Sequence, residues 1–309
     1  MVARPWDFSY FLNLHECSGV RRMRRSYGMA ALALALAMTA VLGWIFLPTG
    51  EDALVRAREG RTLRVGYALE APFVILSPQV VANDPELREA GVGGEAPTVL
   101  RAVLGRLGFN RVEWLRSDFG SLIHELESGR IDIIAAGMYI TLAREVRVLF
   151  SRPTAHVRTG MLQLEGMDPP AKNLADLRSY PDRRLGVLAG AVELTLAGEA
   201  GLSPERVLAY PDAASALQAL QNGRVEAMAL SSVSLRYLEW MYPEGHFVLV
   251  DEAMPEAAPG RPALVFRKSD RRLRDAVDGV LAEYLGSAEH LAAVAEFGFT
   301  AADIPERAP

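Results

Sequence analysis

Cysteine is almost missing from this chain of 309 residues, and Cys17 is the single example. One thiol forms no intrachain disulfide and no cysteine-rich metal site. It also precedes a long apolar run, outside the part that reads as a folded body. The histidines at 15, 124, 156, 246 and 290 have no metal-ligand spacing, and HExxH, GxSxG and GxxxxGK[ST] do not occur. Metalloproteolysis, acyl transfer from a serine elbow and nucleotide hydrolysis therefore find no support, and no metal or cofactor is expected. Basic charge is short as well. Residues 1–50 carry five Arg against Asp7 and Glu16, a balance of +3, so the rest of the chain stands at -8. An acidic body without aromatics interleaved among basic residues argues against nucleic acid as a partner.

What is present is apolar residues: 50% of the chain is hydrophobic and 23% charged, enough for a large core and about two domains. The N-terminus stands apart. Arg21, Arg22, Arg24 and Arg25 precede a charge-free stretch from Ser26 to Gly50. That stretch can cross a hydrocarbon core of roughly 30 Å, with the arginines on the cytoplasmic side and everything after Glu51 outside. It reads as a signal-anchor or a signal peptide. The end, Gly43-Trp44-Ile45-Phe46-Leu47-Pro48, is a poor cleavage site, which favours an uncleaved anchor over about residues 26–48. The body is then extracytoplasmic, in the periplasm or on the outer face of the membrane.

From Arg61 onward strand and helix patterns alternate. Leu63-Arg64-Val65-Gly66-Tyr67 alternates as a strand, Pro97 to Leu107 has helical spacing with Gly108 as its stop, and Val112–Leu115 is a strand. Asp118 is placed to cap a helix ending at Gly129, and Ile131 to Ala136 reads as a buried strand. This rhythm predicts an α/β fold with largely parallel sheets. A repeat supports two related lobes. DFGSLIHELESGRIDIIAA (118–136) recurs as DAASALQALQNGRVEAMAL (212–230), at an offset of 94. Generic helix–Gly–strand grammar would explain part of the match. The shared Asp, Ser and Leu positions, together with Gly-Arg-apolar-acid, go beyond it. Ligands in open α/β sheets sit beyond the carboxyl ends of strands, so both copies aim at one cleft, at Gly137 and Ser231.

The first strand end reads Ala135-Ala136-Gly137-Met138-Tyr139-Ile140-Thr141-Leu142-Ala143-Arg144-Glu145. Thr141 can cap a short helix with Arg144 in its first turn. Free N–H groups there favour an anion, and a guanidinium can grip a carboxylate with two parallel bonds. A solvated helix arginine is the plainer alternative. Phe73, Phe119 and Tyr139 each fall at a loop end of the same lobe. Singly they are ordinary core aromatics; as a set they suit a delocalised cation.

These segments resemble a known family. Leu63–Phe73, Gly94–Pro153 with GRIDIIAAGMYITLAREVRVLFSRP, DRRLGVLAGAVE (182–193), PDAASALQAL (211–220), PALVFRK (262–268) and EHLAAVAEFGFTAADIP (289–305) are similar to extracellular solute-binding proteins of ABC importers of the polar amino acid type. Within that family the chain is most similar to ectoine/hydroxyectoine-binding proteins, through YALEAPF (67–73), GEAPTVLRAVLGRLG (94–108), LAGAVE and the terminal FGFT. The resemblance implies a two-lobed periplasmic-binding-protein-like fold (type II) hinged by crossing strands. Beyond the cytoplasmic tail with its signal-anchor or signal peptide at 1–50 and a linker at 51–60, it implies a first lobe at 61–153 and 262–309, and a second at 154–261.

It also implies a binding protein, not an enzyme. Its partners would be a small zwitterionic solute and the permease subunits of an importer, and the protein would be a monomer. Arg144 would bind the solute carboxylate, and Phe73, Phe119 and Tyr139 would form an aromatic box. Glu70 and Glu193 would take ring N–H groups, and Thr141, the Gly190 backbone and Ser231 complete the implied set. One departure stands out. Family members that bind α-amino acids place an Asp after the strand of the second repeat, where this chain has Leu230-Ser231-Ser232. A desolvated ammonium without a carboxylate is costly, which disfavours a plain α-amino acid unless Glu70 or Glu193 substitutes. The same serines also depart from the ectoine binders. A polar amino acid binder and a dehydratase on the same fold stay open as alternatives.

Overall fold

The computed structural model describes residues 52–76 and 91–305. The expected membrane or export segment, 1–50, lies outside the described residues, among which no helix is long and apolar enough to cross a membrane. In chain order the strands are β1 (Leu63–Tyr67), β2 (Ile75–Leu76), β3 (Val92–Gly93), β4 (Val112–Arg116), β5 (Ile133–Ile134), β6 (Val148–Phe150), β7 (Thr159–Leu164), β8 (Leu185–Leu188), β9 (Val207–Tyr210), β10 (Ala227–Ser231), β11 (Phe247–Val250) and β12 (Val265–Arg267). The helices are α1 (Ala53–Arg58), α2 (Glu95–Arg106), α3 (Leu122–Glu127), α4 (Leu142–Glu145), α5 (Glu193–Glu199), α6 (Ala213–Gln221), α7 (Ser232–Met241), α8 (Arg271–Tyr284) and α9 (Ala288–Ala295).

Two five-stranded sheets carry two lobes, in the orders β4-β1-β5-β12-β6 and β11-β7-β10-β8-β9. The sheets share one plan, but they are mixed rather than simply parallel. In each, three neighbouring strands run parallel (β4-β1-β5 and β9-β8-β10), and the fourth (β12 or β7) pairs antiparallel on both sides. Alternation divides each core in two. Ile133 and Phe266 point into one cluster of the first lobe, Ile134 and Val265 into the other. In the second lobe Met161 and Ala229 oppose Leu162 and Leu230. Helix α2 packs on the first sheet through Val99, Leu100, Val103 and Leu104, all at most 1% exposed. Each such side chain contributes roughly 1.5–3 kcal/mol by leaving water.

The sequence repeat has a physical counterpart. In the first lobe the Asp132 N–H donates to the Arg64 carbonyl at 2.7 Å, and the Arg64 N–H donates back to the Asp132 carboxylate at 3.0 Å. In the second, Glu226 N–H donates to the Arg184 carbonyl at 3.0 Å, and Arg184 N–H donates to the Glu226 carboxylate at 2.6 Å. Each staple ties the residue before the central strand to the start of its neighbour, at Arg64 in β1 and at Arg184 just before β8. It accounts for the acid of the Gly-Arg-apolar-acid pattern, while the glycine ends the helix with a positive φ, 77° at Gly129 and 65° at Gly223.

Within the expected linker, 51–60, the described residues hold α1, capped by Asp52 and buried through Ala53, Leu54 and Ala57. Arg56 of α1 reaches Asp132 at 2.5 Å, so the helix is fastened to the first lobe by charge as well as packing. Asp118 does not cap α3 with its side chain. A 3-10 turn, Phe119–Ser121, intervenes, and the Asp118 main-chain carbonyl takes the Ser121 N–H at 3.0 Å. Its counterpart Asp212 does cap, taking the Ser215 N–H at 2.8 Å.

The chain crosses between lobes twice. Thr154 N–H donates to the Pro262 carbonyl at 2.8 Å, and Val157 and Gly260 exchange bonds of 2.9 and 2.6 Å. These crossings connect β6 to β7 and lead into β12.

Candidate functional site

The strand β5 and its continuation end at Gly137, whose φ is 64°. A Cβ there would lie 2.5 Å from the Phe73 ring, so only glycine lets the chain turn over that ring. The turn delivers Tyr139, which bridges to Pro262 at the crossing strand. Its ring lies against Gly260, where a Cβ would come within 2.2 Å of it. The Tyr139 hydroxyl is buried near Ser231, outside hydrogen-bond geometry. Burial raises its pKa well above the usual phenol value, with Glu193 and Glu70 adding to the effect.

Thr141 then caps α4 as expected, its hydroxyl taking the Arg144 N–H at 3.3 Å. That cap fixes Arg144 on the turn facing the second lobe. One guanidinium nitrogen donates to the Tyr139 carbonyl at 2.7 Å, and the other crosses to the Gly190 carbonyl, also at 2.7 Å. The guanidinium carbon lies 5.8 Å from the Phe119 ring centre. Burial lowers the Arg144 pKa from its ordinary value, opposed by Glu193, Glu70 and Tyr139.

Two carboxyls face this guanidinium from opposite lobes. Glu70 follows β1 and is 6% exposed; Glu193 starts α5 and is 3% exposed. Burial pushes the Glu70 pKa up to about 8, with Glu193 adding and Ser234 and Arg144 opposing. Burial likewise pushes Glu193 up to about 7, against its own backbone N–H, Arg144 and Thr159. Thr159 of β7 donates its hydroxyl to Glu193 at 3.5 Å. A hydroxyl chain reaches Glu70: Ser231 donates to Ser234 at 2.7 Å, and Ser234 to Glu70 at 3.4 Å.

Glu70, Phe119, Gly137, Tyr139 and Arg144 from the first lobe, with Ala191, Val192 and Glu193 from the second, line a narrow, half-open cavity of about 10 Å³, room for about one water molecule. A larger groove of about 380 Å³ lies between α7 and residues 295–298, walled by Val233, Arg236, Tyr237 and Trp240. It has no buried carboxyl and no strand end pointing into it.

Of the residues singled out from the sequence, Glu70, Phe119, Tyr139, Arg144 and Glu193 meet at this cavity. Gly190 joins through its carbonyl, Thr141 through the cap, and Ser231 through Ser234. Phe73 does not. It is 0% exposed in the core, edge-on to Phe299 with ring centres 5.4 Å apart. Of the three aromatics, Phe119 and Tyr139 line the cavity, and Phe73 lies beneath the turn at Gly137. Ser234 and Thr159 were not anticipated. Ser234 had a signal: it stands three residues after Ser231, which takes the Ser234 N–H at 3.1 Å as the cap of α7.

Two lobes joined by two crossings and meeting at a charged cavity have the plan of a solute-binding protein. The chain belongs to the bacterial extracellular solute-binding proteins, family 3, which match residues 78–297. A probable amino-acid ABC transporter periplasmic-binding protein of Sinorhizobium fredii, y4tE, is 32% identical over 147 residues, 46% of this chain and 47% of that protein. The match thus spans about half the length of that relative. The crystal structure of EhuB in complex with hydroxyectoine is similar at 31% identity and a TM-score of 0.70, over 80% of this chain and 92% of that one. An ancestral arginine-binding protein bound to glutamine is 25% identical with a TM-score of 0.62, over 77% of this chain and 96% of that one.

Proposed function

We propose that this chain is the solute-binding component of an ABC importer, and that its solute is a small zwitterion of the ectoine type. The carboxylate would exchange places with the backbone carbonyls now bonded to Arg144. The delocalised ring cation would sit between Glu70 and Glu193, against Phe119 and Tyr139. One observation carries this reading: a single guanidinium and two buried carboxyls, drawn from both lobes, converge on one cavity. The likeness to a hydroxyectoine complex supports it. Binding without turnover, action as a monomer and anchoring through residues about 26–48 belong to the same proposal.

Calorimetric titration of the purified protein with ectoine, hydroxyectoine, glycine betaine, proline, glutamine and arginine tests it. Preference for the ectoines supports the reading. A second reading, an arginine-type amino acid binder, is favoured by the excess of carboxyls over cations in the site. Preference for arginine or glutamine would establish it and sink the first.

A further inference from the structure

We propose that the cleft responds to the net charge of its solute: it closes over a net-neutral zwitterion with uptake of one proton by the Glu70–Glu193 pair, and over a monocation without one. This rests on the reading above that a solute occupies the cavity between the lobes.

The argument is a count of the groups that face the cavity. The loop after β1 contributes Glu70. The turn before α3 contributes Phe119, while Asp118 beside it is exposed. The segment between β5 and α4 contributes Tyr139 and the cap to Arg144. The first residue of α5 is Glu193, β7 contributes Thr159, and the junction of β10 and α7 contributes Ser231 and Ser234. Arg158, next to Thr159, is turned to Glu252 at 3.0 Å. One fixed cation therefore faces two carboxyls. In an open cleft, where both carboxyls meet water, both are ionised near pH 7. With both ionised in the closed site one negative charge stands uncompensated away from water, and buried groups in that position neutralise instead.

A zwitterion adds its carboxylate to Arg144 and its cation to the acids, leaving the excess charge in place. A monocation cancels it. The hydrogen bonds indicate where a proton rests. Glu193 has a backbone N–H and the Thr159 hydroxyl, both of which favour its anion. Glu70 has one hydroxyl, at 3.4 Å, and its pKa is pushed higher, to about 8. The proton belongs to the coupled pair, with Glu70 its better holder. No covalent bond changes; the proton comes from buffer.

The test is calorimetry on the purified full chain near pH 7 with hydroxyectoine and with arginine, each in phosphate and in Tris. The difference in observed heat between buffers counts protons taken up. The expected result is close to one proton for hydroxyectoine and close to none for arginine. Affinity for hydroxyectoine then falls about tenfold per pH unit as pH rises from 6 toward 8, and that for arginine stays flat. If one probe alone binds, its own proton count decides. Binding of hydroxyectoine with equal heats in both buffers overturns the inference and leaves the proposed function standing. Equal uptake for both probes also overturns it. No heat with either probe overturns the proposed function itself.

Discussion

The Arg144 guanidinium spans the two lobes, donating to the Tyr139 carbonyl on its own side and to the Gly190 carbonyl on the other, each at 2.7 Å. A charged donor poised between carbonyls is set to exchange them for a carboxylate at no cost in geometry. Hydrogen bonds to charged groups are worth about 1.5–3 kcal/mol each. Arg144→Ala is therefore expected to weaken solute binding at least about a hundredfold. Stability should hold, because α4 buries no residue. Titration with a thermal melt checks both; normal affinity in the variant would refute the carboxylate role.

Tyr139 is held in place by the absence of a side chain at Gly260. Gly260→Ala would set a methyl within 2.2 Å of the ring, so the ring must move. Affinity should drop by about tenfold or more, since a displacement of this size in a positioned group is felt strongly. A crystal structure showing Tyr139 unmoved would refute the mechanism.

Phe73 and the cavity should separate in their readouts. Phe73→Ala is expected to cost about 3–5 kcal/mol of stability, because the ring is fully buried against Phe299. Affinity of the folded fraction should fall far less than in Arg144→Ala, because the ring supports the turn at Gly137 without lining the cavity. Chemical denaturation alongside titration distinguishes this from a binding role, which would show the reverse.

Glu95 gives a pH signature away from the site. It is 0% exposed at the start of α2, and neither carboxyl oxygen makes a hydrogen bond. Burial pushes its pKa up to about 7 from 4.5. The folded state thus binds the proton more tightly than the unfolded one. Its contribution is fully present below about pH 4.5 and is lost as pH rises through 7. Glu95→Gln should raise the melting temperature at pH 8 by several degrees and change it little at pH 5. Equal shifts at both values would sink this account.

Gly279 lies mid-helix in α8, and a Cβ there meets nothing within 4 Å. Gly279→Ala should stabilise by roughly 0.5–1 kcal/mol, with unchanged affinity. A lower melting temperature would show a contact not described here.

The repeat was legible because each copy carries a glycine that ends its helix and, three residues on, an acid, Asp132 or Glu226, that staples its strand to the neighbouring one. Arg144 and Thr141 were legible because a cap and its helix are local. Phe73 was not, since whether a loop aromatic faces a cleft or a core depends on Gly137 and Phe299, far away in sequence. Helix α1 was too short and too charged to show a period, and its burial comes from partners such as Asp132. Ser234 and Thr159 matter only through carboxyls that reach them across the fold.

The lobes meet at Gly120 and Gly190. A Cβ on Gly190 would come within 2.9 Å of the Gly120 Cα, and one on Gly120 within 3.2 Å of the Ala189 carbonyl oxygen. Main chain rests on main chain, with no rotamer between them to adjust. A side chain larger than hydrogen at either position would hold the jaws apart, so two missing side chains decide how near the lobes can come.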